Sequence, residues 1–565
     1  MKIKNLLNRI ISDALDAVGI PPENVSVSDA SKPEFGDYQY NGIMALAKQQ
    51  KRNPREIASE VVAHIPIDGM VERAEVAGPG FVNLWLNTQW LAKQTQTLVG
   101  DARLGVDTVD TPQKVVVDYS SPNMAKQMHV GHLRSSIIGD TLASLFAFLG
   151  DEVIRQNHIG DWGTQFGMLI AYLEEMGEDG SGSLSDLEQF YKDAKGRFDA
   201  DAAFADTARE YVVKLQGGDA HCRHLWESFI DKSLGHCEEV YTKLGVKLTR
   251  EDVRAESSYN AALAGVVTTL DDKGMLTLSD GAQCVFLEGD DHPYLVQKSD
   301  GGYLYATTDL AAIDHRVHTL GADRISYVVD ARQAGHFRQL FAVARLAGFA
   351  DENTQLEHVS FGMMLDKGGR PFKTRDGGTI KLTDLLDEAV VHAQEAITQR
   401  DQYDEAELEK IARIVGIGAV KYADLSIHRD SNYIFDWDKM LSFEGNTSLY
   451  LQYAYARIQS ILRRHDGEVE GTIVLGNDAE RALALKLLRF EEMLLRAAVE
   501  SLPHYITTYL YELATLFMKF YETSPILKDD VDEPTRQSRL QLAILTAETI
   551  QKGLGILGIG VLERL

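Results

Sequence analysis

Three consecutive valines, Val115-Val116-Val117, do more than any other stretch to limit the folds open to this chain. β-Branched residues favour extended backbone, and a run without polar alternation suits a strand covered on both faces. A turn-rich segment over 120–132 follows. Ile137, Ile138, Leu142, Leu145, Phe146 and Leu149 then recur at helical spacing, and Gly150 is placed to end the helix. Val153-Ile154 starts a second strand. Strand, helix and strand in that order form a βαβ unit, which implies a doubly wound α/β fold whose ligands bind beyond the carboxyl ends of its strands. Further strands are expected over 325–329 and 359–365.

The chain has 565 residues, room for about three or four domains of ordinary size. Residues 1–110 read as a separate α/β module. Leu6, Leu7, Ile10, Ile11, Ala14, Leu15 and Val18 trace one face of an opening helix, and a Gly78-Pro79-Gly80 turn leads into strand-forming residues. A linker is expected over 100–113. The βαβ pattern opens a second unit, 114–400, interrupted at about 170–290 by a mostly helical insertion, and 404–565 is almost wholly helical. A net charge of −27 argues against a chain that coats nucleic acid indiscriminately, but leaves room for a local basic surface. Three cysteines cannot frame a disulfide scaffold, which points to a reducing cytoplasm. No apolar run approaches the ~20 residues of a membrane span.

The chemistry gathers where the valine strand gives way to the helix, in Asp118-Tyr119-Ser120-Ser121-Pro122-Asn123-Met124-Ala125-Lys126-Gln127-Met128-His129-Val130-Gly131-His132. A helix amino terminus offers free N–H groups and the positive end of a dipole. Two histidines can add hydrogen bonds and Gly131 lets the backbone come close, a combination suited to phosphate. The same residues also suit a plain helix cap with two solvent-facing histidines. A metal site fits less well, because no carboxylate or cysteine stands at ligand spacing. Nor do His221, Cys222, His224, His236 and Cys237 read as zinc ligands, since they fall in a helical stretch and lack a Cys-x2-Cys pair. Tyr305 and Asp309 share a face if their segment is helical, where a carboxylate ordinarily meets solvent. Further on, Arg457, Arg463 and Arg464 follow Tyr450, Tyr453 and Tyr455, and Lys486, Arg489 and Arg496 fall near one helical face. That mixture suits unstacked bases or, for the tyrosines, a bundle core.

Residues 118–140 resemble the HIGH signature region of arginyl-tRNA synthetases, which are class I aminoacyl-tRNA synthetases. The likeness continues in His158-Ile159-Gly160-Asp161-Trp162-Gly163, Tyr305-Ala306-Thr307-Thr308-Asp309 and Phe361-Gly362-Met363-Met364-Leu365. It extends to Glu444-Gly445-Asn446-Thr447 with Tyr450-Leu451-Gln452-Tyr453, and to Phe35-Gly36-Asp37-Tyr38-Gln39, nearest the family's bacterial members. The resemblance implies a Rossmann-type catalytic domain between a tRNA-contacting α/β domain and a helical anticodon-binding domain. It implies ATP-dependent ligation of L-arginine to tRNA(Arg) through an arginyl-adenylate, by a cytoplasmic monomer that forms the adenylate only with tRNA present. ATP with Mg²⁺ is then a substrate, with no prosthetic group, no protein-held metal and no membrane.

By the same resemblance, His129, Gly131 and His132 contact ATP, while Asp118, Asn123, Tyr305, Asp309 and Gln333 line the arginine site. Phe35, Gln39, Tyr450, Tyr453 and Arg457 meet tRNA. The second class I signature, KMSKS, is replaced here by Arg370-Pro371-Phe372-Lys373-Thr374-Arg375-Asp376-Gly377-Gly378. Lys373 and Arg375 join the ATP contacts, and either of them or Lys126 can clamp the departing pyrophosphate. The implied catalytic set is Lys126, His129, His132 and Lys373. Two other readings compete. One is a superfamily relative with another substrate, against which Asp118, Tyr305 and Asp309 speak for a cation. The other is a non-catalytic RNA-binding relative, against which the intact His129, Gly131 and His132 speak.

Overall fold

The computed structural model describes residues 3–67, 69–124, 126–177, 187–372, 380–398, 403–465 and 467–565. Helix α1 (Ile3–Ala17) buries Ile3 with Leu7, Ile11, Ala14 and Leu15 of the expected face, while Leu6 and Ile10 are only half-buried. Beside it lies an antiparallel sheet in the order β1 (Val27–Asp29), β2 (Tyr38–Tyr40), β4 (Phe81–Leu86), β3 (Val71–Ala77). α2 (Ile43–Gln50) and α3 (Pro54–Ala63) bridge β2 and β3, and the Gly78-Pro79-Gly80 turn closes the β3–β4 hairpin. α4 (Thr88–Gln96) leads out, capped where the Asn87 side chain accepts from Trp90 N.

The valine strand is β5 (Lys114–Asp118), central in an all-parallel sheet of order β11-β10-β5-β6, with β6 (Glu152–Gln156), β10 (Arg324–Tyr327) and β11 (Gln355–His358). Valines 115–117 are completely buried, as a strand with neighbours on both sides and helices on both faces requires. α5 (Leu133–Leu149) makes the crossover and ends at Gly150, φ 107°. Gly139 lets α5 lie close to the strand end, because a Cβ there would stand 2.2 Å from the Cβ of Tyr119.

Two strand expectations shift. The strand expected over 325–329 is β10, one residue earlier and ending at Tyr327. The ladder near 359–365 forms earlier, over 355–358, where the polar sequence Gln-Leu-Glu-His suits a sheet edge. Val359 and Phe361 are buried beyond the ladder, Phe361 making a single bridge to Asp330, and β12 (Met364–Leu365) pairs in parallel with β13 (Tyr433–Ile434). The insertion is helical through α6 (Thr164–Met176), α7 (Leu187–Ala200), α8 (Ala202–Gln216), α9 (Ala220–Leu244) and α10 (Leu263–Asp272). It then adds a sheet of three short strands, β7 (Thr277–Ser279), β8 (Ala282–Val285) and β9 (Tyr294–Gln297). α11 (Tyr305–Asp314) and α12 (Ala334–Ala347) flank β10. The remainder is α13 (Leu382–Thr398), α14 (Glu405–Leu425), α15 (Trp437–Met440), α16 (Ser448–Arg463), α17 (Asp478–Leu488), α18 (Phe490–Glu500), α19 (His504–Thr523) and α20 (Glu533–Ile556). Among the described residues no helix is long and apolar enough to cross a membrane.

The cations of α17 and α18 overturn an expectation. Arg489 Nε donates to Tyr38 Oη (2.9 Å) and its Nη2 to Asp37 O (3.0 Å). Arg481 donates to both Asp37 carboxylate oxygens (2.8 and 2.6 Å) and to Leu86 O (2.8 Å). Lys486 is buried and paired with Glu512. Lys486 and Arg489 therefore do not form a nucleic-acid surface. Arg481 and Arg489 join the first domain to the helical one, because a planar guanidinium can satisfy several acceptors at one desolvated spot. Arg496 does lie on the surface, paired with Glu500 and stacked 4.0 Å from the Tyr505 ring.

Candidate active site

His129 caps a short 3-10 turn, Val130–His132, that runs into α5. Its Nδ1 accepts from Gly131 N (3.0 Å), and His132 Nδ1 accepts from His129 N (3.1 Å). A ring nitrogen that accepts carries no proton, so each neutral imidazole has its proton on Nε2. Both rings are held neutral. Burial, and then the Lys126 ammonium, pushes His129 below the usual histidine range, while burial followed by His129 brings His132 down to about 3. A Cβ on Gly131 would stand 2.7 Å from the His129 ring, so only glycine permits this packing. The turn thus offers two uncharged N–H donors at the amino end of a 17-residue helix, an arrangement suited to an anion.

The second basic loop is anchored against this turn. Val130 N donates to Ile380 O and Leu382 N to Met128 O, both at 3.1 Å, and on the loop's other side Phe372 N donates to Met364 O (3.2 Å). Lys373 and Arg375 themselves lie outside the described residues. Lys126 is exposed, with Nζ 4.9 Å from the centre of the Tyr191 ring of α7.

At the sheet's carboxyl edge, Asp118 Oδ2 is paired with Arg316 Nη2 (2.7 Å), and its Oδ1 accepts from Ser121 Oγ (3.0 Å). Arg316 is entirely buried in a π-helical turn, His315–Thr319, after α11, and its Nε bonds Gln156 (2.6 Å). Asn123 is exposed and its segment is bridged to Gly160. Tyr305 and Asp309 do share a face of α11. Asp309 is no solvent-facing carboxylate: its side chain is 21% exposed, with Oδ2 2.7 Å from His336 Nε2 and Oδ1 3.9 Å from His158 Nε2. The Tyr305 ring is 62% exposed and meets His336 edge-on at 5.1 Å. Gln333, exposed, stands at the N-cap of α12, one turn before His336.

His336 thus gathers Tyr305 and Asp309 beside Gln333, and sequence reasoning missed it; helical spacing from Gln333 was its one signal. Glu256 was missed too. Burial, and then the carboxylates of Asp309 and Asp161, push it up to about 7. Carboxylates crowded this way create a local demand for a cation.

The expected tRNA contacts sit elsewhere. Phe35 is half-buried in a 3-10 turn, Pro33–Phe35, and Gln39 Nε2 donates to Asn83 Oδ1 (2.6 Å). Tyr450, Tyr453 and Arg457 line one face of α16, half-exposed, with the Arg457 guanidinium 5.2 Å from the rings of both Tyr453 and Tyr521. Tyr453 and Arg457 border a hollow of about 400 Å³ shared with Arg463 and Arg564. Tyr455 belongs to the core. Cys222 and Cys237 are buried on α9, and His221 pairs with Glu174.

Three family models match in series: the arginyl tRNA synthetase N-terminal domain over 2–86, the catalytic domain of class I (R) tRNA synthetases over 93–437, and the DALR anticodon binding domain over 451–565. An arginine–tRNA ligase of Laribacter hongkongensis is 54% identical, and one of Pseudoalteromonas atlantica 53%, each over the full length of both chains. The solved arginyl-tRNA synthetase of Plasmodium falciparum superposes with a TM-score of 0.87 at 29% identity, covering 100% of this chain and 99% of that one. That of Thermus thermophilus gives 0.85 at 26%, covering 100% of both. With the histidine turn, the acidic pocket and the helical carboxyl-terminal region all in place, the chain belongs to the arginyl-tRNA synthetases, the class I ligases that use ATP to attach arginine to tRNA.

Proposed function

We propose that this ligase divides its catalytic cleft between an acidic arginine end and a phosphate end built on two neutral histidines. Asp309, oriented by His336 and His158, takes the substrate guanidinium, with the Tyr305 ring over it and Gln333 beside it. Asp118 and Asn123 supply acceptors at the strand end. The Nε2–H groups of His129 and His132 receive phosphate oxygens, and Gly131 leaves room for close approach. One of Lys126, Lys373 and Arg375 clamps the departing pyrophosphate. An oxygen of the arginine carboxylate attacks the α-phosphorus and the bond to pyrophosphate breaks. A ribose hydroxyl at the tRNA 3′ end then attacks the carbonyl carbon, and AMP leaves. No side-chain nucleophile is needed, so positioning and charge stabilisation carry the rate.

Magnesium enters with ATP and is held mainly through phosphates. In this reading residues 1–110 and 404–565 seat tRNA(Arg) around a catalytic domain of 114–400, and the enzyme works as a cytoplasmic monomer. The observation that carries the assignment is Asp309 set against two histidines, one of which meets the exposed Tyr305 ring edge-on. Charging of total tRNA with each of the twenty amino acids tests it, on the wild type and on Asp309→Ala. Arginine alone should be attached, and the variant should need far more of it. A wild-type arginine KM in Asp309→Ala would remove the pocket from the site.

A further inference from the structure

Arg134, in the first turn of α5 and two residues after His132, has a side chain only 3% exposed. Its Nε donates to Asp424 Oδ2 (3.0 Å) and its Nη1 to the Ser431 carbonyl (3.0 Å), with the Tyr433 and Phe361 rings 5.3 and 5.8 Å from the guanidinium carbon. Asp424 lies in the last turn of α14 and has no exposed side-chain surface. Ser431 belongs to the segment that enters β13. That segment is laced to 362–365: Gly362 N donates to Arg429 O (2.9 Å), Met363 N to Asn432 Oδ1 (2.7 Å) and Tyr433 N to Met363 O (3.1 Å). β12 then runs into the second basic loop, whose far end is bonded to Met128 and Val130. One guanidinium therefore touches the helix that carries the histidines, the strand pair that launches the loop, and α14.

A buried ion pair is a poor way to gain stability, because desolvation offsets most of the attraction and packed apolar side chains serve as well. What the pair supplies is direction. Two hydrogen bonds from a rigid planar group fix the angle of α5 against two other elements, whereas apolar contacts permit sliding. We propose that Arg134 and Asp424 are positioning residues for adenylate formation. Their ion pair, with the Ser431 carbonyl, keeps the histidine turn in register with the β12–β13 pair and ties that register to α14. The inference rests on the reading that the histidine turn contacts the nucleotide.

The test is ATP–pyrophosphate exchange with tRNA present, together with thermal unfolding, on Arg134→Met/Asp424→Leu and on Asp424→Asn. The double variant leaves no charge buried alone. It should unfold near the wild-type temperature yet lose on the order of a hundredfold in kcat, the cost of a small misplacement of reacting groups, with the arginine KM unchanged. Asp424→Asn should show the same pattern to a smaller degree. A folded double variant with wild-type kcat overturns the proposal, and so does a fall in kcat matched by an equal rise in arginine KM. Should the double variant fail to fold, Asp424→Asn decides: wild-type kcat overturns the proposal, and a lowered kcat with unchanged arginine KM supports it. His132→Ala runs in parallel. Intact exchange in that variant refutes the nucleotide reading itself, whereas lost exchange there beside intact exchange in the Arg134 and Asp424 variants refutes only the positioning role.

Discussion

The histidine turn presents uncharged N–H donors, while around Asp309 several carboxylates are set close together; in the proposed function the first meets a polyanion and the second a cation. The contrast follows from what each ligand brings. In that reading ATP arrives with much of its charge balanced by its own magnesium, so oriented neutral donors serve at the histidine turn and need no rearrangement when pyrophosphate departs, with a basic side chain reserved for the leaving group. A guanidinium cannot give up its proton and presents five donors with no acceptor, so only acceptors can hold it.

The largest effect that could break this division belongs to Asp309→Asn. The amide swaps an acceptor for donors that the guanidinium cannot receive, so about 2–5 kcal/mol should be lost for a desolvated pair. The loss should appear as a raised arginine KM with the ATP KM nearly unchanged, and lysine should remain a poor substrate because an ammonium lacks the fork geometry. Charging kinetics with arginine and ATP varied separately measure it, and an equal rise in both constants would merge the two ends into one.

His129→Ala should act at the other end. Removing one preorganised donor should lower the exchange kcat by about a hundred- to a thousandfold while leaving the arginine KM in place. Next in size is the pH dependence. Burial brings His132 down to about 3, so it contributes no titration to kcat between pH 8 and 6, and burial followed by the Lys126 ammonium moves His129 downward as well. Glu256, raised to about 7, behaves otherwise. A bound cation favours its carboxylate form, so protonation as the pH falls through 7 should raise the arginine KM, by up to about tenfold across two pH units. The same shift means that folding holds this proton more tightly than the unfolded chain does. Glu256 therefore costs stability above pH 7, and that cost vanishes below the ordinary glutamate range. Glu256→Gln should flatten the KM profile; a slope that survives this change points to another group. The smallest effect is expected from Tyr191→Ala, which frees the Lys126 ammonium from its ring. A surface cation–π contact is worth about 0.5–1 kcal/mol, so exchange should change only a few-fold, upward if the freed ammonium reaches pyrophosphate.

The valine strand, its crossover helix and the next strand were legible because their signals are local and periodic. β11 was not, since an edge strand written Gln-Leu-Glu-His carries neither alternation nor an apolar run. β7 to β9 were too short to announce themselves. In the site, the Tyr305–Asp309 spacing could be read as one helix face, but Glu256 and Arg316 reach the pocket only through folding, with no neighbouring residue to mark them, and His336 is marked only by its helical spacing from Gln333. Lys486 and Arg489 misled for the same reason: a cation on an amphipathic helix reads as solvent-facing, and Tyr38, which meets Arg489, lies 451 positions away.

That separation also bears on how the molecule is made. Lys4 N donates to Glu492 across 488 positions, and Arg489 reaches back to Tyr38 across 451. A ribosome adding about 5–20 residues per second needs roughly 20–90 s to supply that stretch. Throughout the interval the first domain waits with its docking face uncovered. A face built on Asp29, Asp37 and Tyr38 tolerates water, where an apolar one would invite aggregation with other nascent chains. Synthesis of residues 481–492 is therefore the event that gives the first domain its docking partner, so a translation product stopped before them would keep a folded head with nothing to dock against.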